Sequence, residues 1–296
     1  MTRNAREGET RTELWLLLVI VVWAANYPVS KYGIIGLNIF VFNSLRFLFA
    51  AVLLVILFRI RFTWQKVTGA DWPRLIRAGF IANVLYQITF IIGLNMTTAG
   101  NAAVLLATAP LWTVFINAKI NHETILPRRW IGMSMALAGI IMIIAGSGKR
   151  LELGGQAIFG DLICIAAASL WGFNTSLQKP LLVHYSAMQL TVVMIIVGAL
   201  GLTAAAIPAG LTLNWGAVHW TYYVAALASG ALSIGAASVV WSVGVKRLGP
   251  ERTANFGNLT PVLALVISAL TLGESVYPIQ LAGVTVTLLG VWYASR

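Results

Sequence analysis

The sequence predicts an all-α integral membrane protein: ten transmembrane helices, arranged as two inverted-topology five-helix repeats around a central cavity. Two observations support this fold class. First, 59% of the 296 residues are hydrophobic and only 10% are charged, whereas a soluble domain carries roughly 25% charged residues. Second, two residue patterns recur about half a chain apart. Because one span needs about 20 apolar residues, the chain has room for about ten spans joined by short loops.

The two recurring patterns define the repeat. Trp23 and Asn26 recur as Trp171 and Asn174, 148 residues later. A second set keeps spacings of 13, 9 and 7 residues in both copies, which are Pro110, Glu123, Gly132 and Gly139, then Pro261, Glu274, Gly283 and Gly290. One duplication explains both patterns. We therefore predict two units, residues 1–150 and 151–296.

Apolar runs place the spans near residues 14–33, 39–58, 72–93, 98–118, 129–147, 160–179, 187–207, 219–243, 252–272 and 277–294. All lysines and arginines then fall on one side of the bilayer, except Lys31, Lys149, Arg150 and the mid-span Arg46. The positive-inside rule makes that side cytoplasmic, with both termini on it. Since each unit has an odd number of spans, the second is expected to lie inverted relative to the first. Such repeats are typical of transporters whose site lies between the halves.

Composition also excludes several classes of function. The net charge of +11 follows from the positive-inside distribution, so we expect no nucleic-acid partner. The single Cys164 excludes an intramolecular disulfide and a cysteine-rich metal site. The three histidines lie far apart without metal-ligand spacing, and no nucleophile motif or phosphate loop is present. We therefore expect no enzyme activity, no catalytic residue, no metal and no cofactor.

Polar residues in the middle of spans are the candidate site, because such groups are costly in hydrocarbon unless they face a partner or a water-filled cavity. The related Asn26 and Asn174 lie in spans 1 and 6, where Pro28 and Gly172 are expected to interrupt the helices. Interrupted helices at matching positions indicate a transporter site. The alternative is hydrogen bonding between helices, which asparagine also provides.

Spans 3, 4, 8 and 9 add further candidates. Asn83 and Tyr86 share one face of span 3, and Trp241 lies on the corresponding face of span 8. Simple helix packing would also explain aromatic faces and small residues at these positions. The full set of predicted substrate-binding residues is Asn26, Tyr27, Asn83, Tyr86, Asn101, Trp171, Asn174, Trp241, Asn255 and Asn258.

The charged residues near or within spans receive other interpretations. Glu13 and Asp161, which are also repeat partners, are expected in the first turn of their helices, near an interface. Arg46 lies within span 2 and is expected to extend its side chain outward to carbonyls or headgroups. Direct contact with an anionic substrate group is the alternative for Arg46.

The chain also resembles a known family. Four segments of the second half carry the resemblance: Thr260-Pro261-Val262-Leu263-Ala264, Leu272-Gly273-Glu274, Gln280-Leu281-Ala282-Gly283 and Gly290-Val291. Their first-half counterparts are Ala109-Pro110-Leu111, Glu123, Gly132 and Gly139. Together with the pair Arg46-Phe47, these residues are similar to EamA repeats. These repeats characterise the drug/metabolite transporter superfamily, within which the chain looks most like YddG-type aromatic amino acid exporters. Two departures from the pattern are Met194 at the position related to Arg46, and the lack of a central glutamate in span 1.

The resemblance implies a bacterial inner-membrane protein that exports aromatic and other neutral amino acids by alternating access. We expect no obvious proton-coupling carboxylate, no partner besides the amino acid and the lipid bilayer, and a monomer. One alternative is export of another small metabolite or drug. A second is a channel, although the sequence lacks the rings of like residues that a pore requires.

Overall fold

The computed structural model describes residues 3–121, 127–145, 156–248, 253, 256–257, 259–273 and 275–295. Within residues 1–150, the predicted first unit, lie α1 (Arg3–Gly36), α2 (Ile39–Arg61), α3 (Trp72–Phe80), α4 (Tyr86–Met96), α5 (Ala99–Leu106), α6 (Ala109–Asn121) and α7 (Pro127–Ala145). The second contains α8 (Gln156–His184), α9 (Ala187–Thr212), α10 (Trp220–Ala228), α11 (Ala237–Leu248), α12 (Thr260–Leu272) and α13 (Pro278–Ser295).

The structure confirms an all-α membrane protein. Among the described residues, six helices are long and apolar enough to cross a bilayer, and three shorter apolar helices accompany them. The six are Thr10–Gly36, Ile39–Arg61, Trp72–Met96, Ala157–Asn174, Ala187–Thr212 and Trp220–Gly244. Large apolar side chains such as Leu211 and Leu270 lie on the surface, whereas polar Arg46 and Asn174 are buried. This inside-out distribution suits a protein surrounded by lipid.

Local sequence signals explain where several helices begin and end. The side chains of Asn38, Thr98 and Ser186 accept hydrogen bonds from backbone N–H groups in the first turns of α2, α5 and α9. These contacts satisfy donors that a helix start leaves free. At the other end of α12, Gly273 adopts a left-handed conformation with φ of 65°, which glycine accommodates without steric cost.

The expected interruptions in spans 1 and 6 are wrong. Helix α1 continues through Pro28, and α8 continues through Gly172. A proline costs one helical hydrogen bond, which a long buried helix can absorb. Gly172 serves close packing instead, because a Cβ there would lie 2.9 Å from Cβ of Trp112 in α6.

The irregular backbone lies in spans 3 and 8. A π-helical segment, Ile81–Leu85, joins α3 to α4, and a second, Ser229–Ala236, joins α10 to α11. The two segments overlap when residue numbers are shifted by the repeat offset of 151. Single π-helical segments within α-helices are often found at functional sites.

Glycines bring counterpart helices of the two units into backbone contact. A Cβ at Gly139 of α7 would lie 2.5 Å from the carbonyl oxygen of Gly283 in α13, and one at Gly290 would lie 2.5 Å from that of Gly132. Since Gly132 and Gly139 correspond to Gly283 and Gly290, one contact becomes the other when counterparts are exchanged. Gly132, early in α7, meets Gly290, late in α13, whereas Gly139, later in α7, meets Gly283, earlier in α13. The two helices therefore run antiparallel.

A second pair of contacts obeys the same exchange. A Cβ at Gly230 in span 8 would overlap the backbone of Arg46 in α2. The counterparts, Gly79 in α3 and Met194 in α9, meet in the same way, with 3.1 Å between such a Cβ and the Cα of Met194. These two crossings, which both join residues 1–150 to residues 151–296, are therefore related by exchange of counterparts.

Candidate functional site

Four aromatic side chains from three spans form a connected group, here called the aromatic cluster: Tyr27 (α1), Tyr86 and Phe90 (α4), and Trp171 (α8). The ring centroids of Tyr27 and Phe90 are 5.9 Å apart in an edge-on contact, and those of Tyr86 and Phe90 are 6.0 Å apart and stacked. Tyr86 also lies 5.1 Å from Trp171. The structure thus brings together three predicted residues, Tyr27, Tyr86 and Trp171, around the buried Phe90.

Asn26, beside Tyr27, is held by residues of spans 2 and 8. The Ser229 hydroxyl donates to Asn26 Oδ1 at 2.5 Å, and Ser30 donates to the same oxygen at 3.4 Å. Arg46 Nε donates to Ser229 Oγ at 2.6 Å. Because a guanidinium can only donate, the serine oxygen must accept from Arg46 and give its own proton to Asn26. The network therefore fixes the direction in which the Asn26 amide points.

Arg46 itself does not reach the surface, so the expectation that it extends to headgroups is wrong. The residue is 1% exposed. Its Nη1 donates to Asn43 Oδ1 at 3.1 Å, and its guanidinium lies 5.6 Å and 5.9 Å from the ring centres of Phe42 and Phe90. Aromatic faces attract a cation, and neutral oxygens of Ser229 and Asn43 accept from two of its N–H groups. Partners inside the bundle, on its own span and on others, therefore replace the outward path.

Two buried amide oxygens, on helices that also supply the aromatic cluster, have no hydrogen-bond partner in the part of the chain that the structure describes. They are Asn174 Oδ1, one helical turn after Trp171, and Gln87 Oε1, directly after Tyr86. Both residues are buried, Asn174 with only 2% of its surface exposed. An unsatisfied buried acceptor costs roughly 1–3 kcal/mol. Such groups call for a functional explanation, and a ligand that donates hydrogen bonds would supply one.

The remaining predicted residues lie elsewhere or have other partners. Asn83 donates to the Met194 carbonyl at 2.8 Å, and Asn101 Oδ1 accepts from Gln280 at 2.9 Å, so both link spans directly. Trp241 pairs with Trp23 at 4.8 Å between ring centroids. The predicted residues Asn255 and Asn258 lie outside the described residues.

The acidic repeat partners do not occupy first turns. Helix α1 begins at Arg3 and α8 at Gln156, so Glu13 and Asp161 lie further along their helices. Asp161 is 2% exposed and accepts a hydrogen bond from Thr97 Oγ1 at 2.5 Å. The chain therefore does hold a buried carboxylate. Sequence alone suggested none, because the ends of a helix are uncertain by a few residues when they are predicted from one sequence.

Lys31 lies close to the same span end. Its ammonium donates to the carbonyl oxygens of Leu94 and Thr97, both at 2.6 Å. These carbonyls end α4 and have no helical partner of their own. Sequence analysis recorded Lys31 only as a charge outside the bilayer. A lysine next to a helix C-terminus is a recognisable capping signal, but only once the two spans are known to be neighbours.

At the end of the bundle predicted to be cytoplasmic, two loops are joined by polar contacts. The Gln189 side chain exchanges hydrogen bonds with the backbone of Gln65, at 3.0 Å and 2.7 Å. Asp71 accepts from Tyr185 at 2.8 Å and from Thr68 at 2.9 Å. The hydrogen bonds from Tyr185 and Thr68, with Arg74 adjacent, lower the pKa of Asp71 below its usual value.

Comparison with known proteins identifies the family. The EamA-like transporter family model matches residues 10–145 and 158–296. Similar proteins include an "Uncharacterized transporter" of Archaeoglobus fulgidus, 26% identical over 96% of both chains. Two others carry more specific names. A "Probable terminal-alkyne amino-acid exporter" of Streptantibioticus cattleyicolor is 27% identical over 95% of this chain and 92% of the relative. A "Probable amino-acid metabolite efflux pump" of Salmonella typhimurium is 25% identical over 93% of this chain and 92% of the relative.

A solved crystal structure shares the fold, with a TM-score of 0.70 at 17% identity, over 96% of this chain and 98% of that one. The family match occurs twice and leaves little of the chain outside it. The resemblance to EamA repeats is thereby confirmed. This chain is a multi-pass membrane protein and belongs to the EamA-like transporter family.

Proposed function

We propose that this protein is an alternating-access transporter that exports neutral amino acids, with a preference for aromatic side chains. The observation that carries the proposal is the aromatic cluster, together with the unsatisfied buried amide oxygen of Asn174, one helical turn from Trp171. Flat aromatic rings suit an aromatic or apolar side chain, and amide oxygens suit an ammonium group. The names of two relatives, which mention amino-acid export, favour the same substrate class.

The proposal includes ten spans in two inverted units, residues 1–150 and 151–296, with both termini in the cytoplasm of a bacterial inner membrane. The exchange of contacts between counterparts, and the antiparallel course of α7 and α13, support the inverted relation. In transporters of this design the site lies near the midplane between the repeats, and rocking of one part against the other opens it alternately to each side.

Within this proposal the residues have distinct tasks. Tyr27, Tyr86 and Trp171 contact the substrate side chain, while the amides of Asn26 and Asn174 bind its polar end. We propose export without proton coupling, because the buried Asp161 lies near a helix start, next to Thr97, and not in the aromatic cluster. A monomer suffices, since the cluster is assembled from one chain.

Uptake of labelled L-phenylalanine into proteoliposomes tests the proposal. The wild-type protein is expected to transport it at a rate that an imposed pH gradient leaves unchanged. Trp171→Ala should lower the rate at least tenfold, whereas the surface control Trp220→Ala should stay within twofold of wild type. Transport of cationic drugs without amino acids would instead indicate the drug-export alternative, and single-channel currents in planar bilayers would indicate a channel.

A further inference from the structure

The two related asparagines differ in one decisive respect. Asn26 Oδ1 accepts hydrogen bonds from Ser229 and Ser30, whereas Asn174 Oδ1 accepts none from the described residues. Both side chains are amides, and both follow a tryptophan by three residues. Their surroundings must therefore account for the difference.

The repeat explains where the missing partners went. The donor to Asn26 is Ser229, which is itself held by Arg46. At the repeat offsets of 151 and 148, the counterparts of these two residues are Ala78 and Met194. Both are buried, and neither carries a hydrogen-bond donor on its side chain. The positions related to Ser229 and Arg46 thus offer Asn174 neither the hydroxyl nor the guanidinium group that occupies the Asn26 oxygen.

The related helix crossing is intact, so the loss is chemical and not geometric. Gly230 packs on the backbone of Arg46 in α2, and its counterpart Gly79 packs on the backbone of Met194 in α9, so each contact joins one half to the other. Helices cross in the same manner, but one crossing supplies polar side chains and the other apolar ones. Asn174 is therefore left with an open acceptor inside the bundle.

An open acceptor in an apolar interior selects for a ligand that donates hydrogen bonds. Gln87 Oε1 is a second such acceptor, adjacent in sequence to Tyr86. Tyr86 contacts Trp171, which lies one turn from Asn174. Aromatic faces attract cations, and hydrogen bonds from a charged donor are about twice as strong as neutral ones. Oxygens combined with aromatic faces describe a site for an ammonium group.

We propose that Asn174 Oδ1 accepts a hydrogen bond from the α-ammonium group of the transported amino acid. Asn26 cannot share this task, because its oxygen already accepts from Ser229; it retains only its N–H groups for a substrate. The duplicated asparagines have thereby acquired different roles. This inference rests on the proposed amino-acid export and adds the group that fixes the orientation of the substrate.

The test compares Asn174→Leu, Asn174→Asp and the exposed control Asn95→Leu in the L-phenylalanine uptake assay, with 2-phenylethylamine and 3-phenylpropionate as competitors. Asn174→Leu removes the acceptor at similar volume and should lower uptake at least tenfold, while its thermal unfolding midpoint equals or exceeds that of wild type. Asn174→Asp keeps the acceptor and adds negative charge, so it should retain uptake within threefold and be inhibited more strongly by 2-phenylethylamine. Asn95→Leu should behave as wild type.

Each result has a defined meaning. Uptake by Asn174→Leu at the wild-type rate would overturn the inference while leaving amino-acid export standing. Loss of uptake in Asn174→Asp, with stronger inhibition by 3-phenylpropionate in wild type than by 2-phenylethylamine, would show that Asn174 donates to the carboxylate instead. Failure of the wild-type protein to transport L-phenylalanine would refute the proposed function itself. Asn174→Asp by itself decides whether residue 174 accepts a hydrogen bond from the substrate or donates one to it. The test therefore remains decisive even if Asn174→Leu folds poorly.

Discussion

Replacement of Ser229 by alanine should destabilise the protein more than the removal of a single hydroxyl group suggests. The hydroxyl accepts from Arg46 at 2.6 Å and donates to Asn26 at 2.5 Å, and both bonds are lost together. A hydrogen bond to a charged group contributes about 1.5–3 kcal/mol, and a buried oxygen left without a donor costs about 1–3 kcal/mol. The weaker bond from Ser30 at 3.4 Å remains, so we expect a loss of about 3 kcal/mol in the free energy of unfolding.

Thermal unfolding in detergent, followed by tryptophan fluorescence, measures the effect. A loss of this size should lower the midpoint by about 6–12 °C for a large domain. Ser169→Ala is the matched control, because the Ser169 hydroxyl donates only to the carbonyl of Ala166 in its own helix, at 2.7 Å. Its midpoint should stay within about 2 °C of wild type, since substitutions away from such networks usually cost under 0.5 kcal/mol.

A double-mutant cycle makes the reasoning refutable. Arg46→Met combined with Ser229→Ala recreates the side chains that the chain already carries at the counterpart positions, Met194 and Ala78. The double variant should be more stable than the sum of the single effects predicts, by about 1–3 kcal/mol, because the two residues contact each other. Additive effects, or a Ser229→Ala midpoint equal to that of Ser169→Ala, would contradict the described network.

Three further predictions concern other contacts. Gly283→Leu should cost about 1–3 kcal/mol through overpacking against α7, whereas Gly69→Ala, with open space around it, should leave the unfolding midpoint unchanged. Lys31→Met removes the charged donor from two helix-ending carbonyls, and should lower stability by about 2 kcal/mol in the same assay. The pKa of Asp71 is lowered in the folded protein, so its carboxylate should stabilise the fold at any pH above about 3.9, the usual pKa of an unfolded aspartate. In that range the free energy of unfolding of wild type should exceed that of Asp71→Asn. That advantage should vanish as the pH falls through the lowered value, and an advantage that grows with acidification would contradict it.

Much of the fold could be predicted because lipid imposes a simple rule on sequence. Long apolar runs between polar breaks located some spans within a few residues, as with the predicted 39–58 against the observed Ile39–Arg61, although the predicted span 98–118 is divided into α5 and α6. The spacing of three and four residues correctly placed Tyr86 and Phe90 on one face. Helical periodicity is a local property, so a single sequence carries it well.

Partners distant in sequence could not be predicted in this way. Arg46 lies 183 residues from Ser229, and Asn101 lies 179 residues from Gln280. No local pattern reveals that such pairs meet, so an outward path for Arg46 and a ligand-binding role for Asn101 were the natural expectations. The π-helical segments had no sequence signal of the kind that proline gives, while Pro28, which had one, left its helix unbroken.

Fusion of the two units into one polypeptide has a consequence for the number of charges that the membrane interior must hold. A symmetric pair made from two identical separate subunits would bury either two guanidinium groups or none, because each subunit would bring the same residue. The fused chain places arginine at position 46 and methionine at position 194, and so carries a single buried positive charge in these related places. A single buried guanidinium is thus a number that no dimer of identical subunits can have, and it gives the two sides of an otherwise repeated interior different side chains.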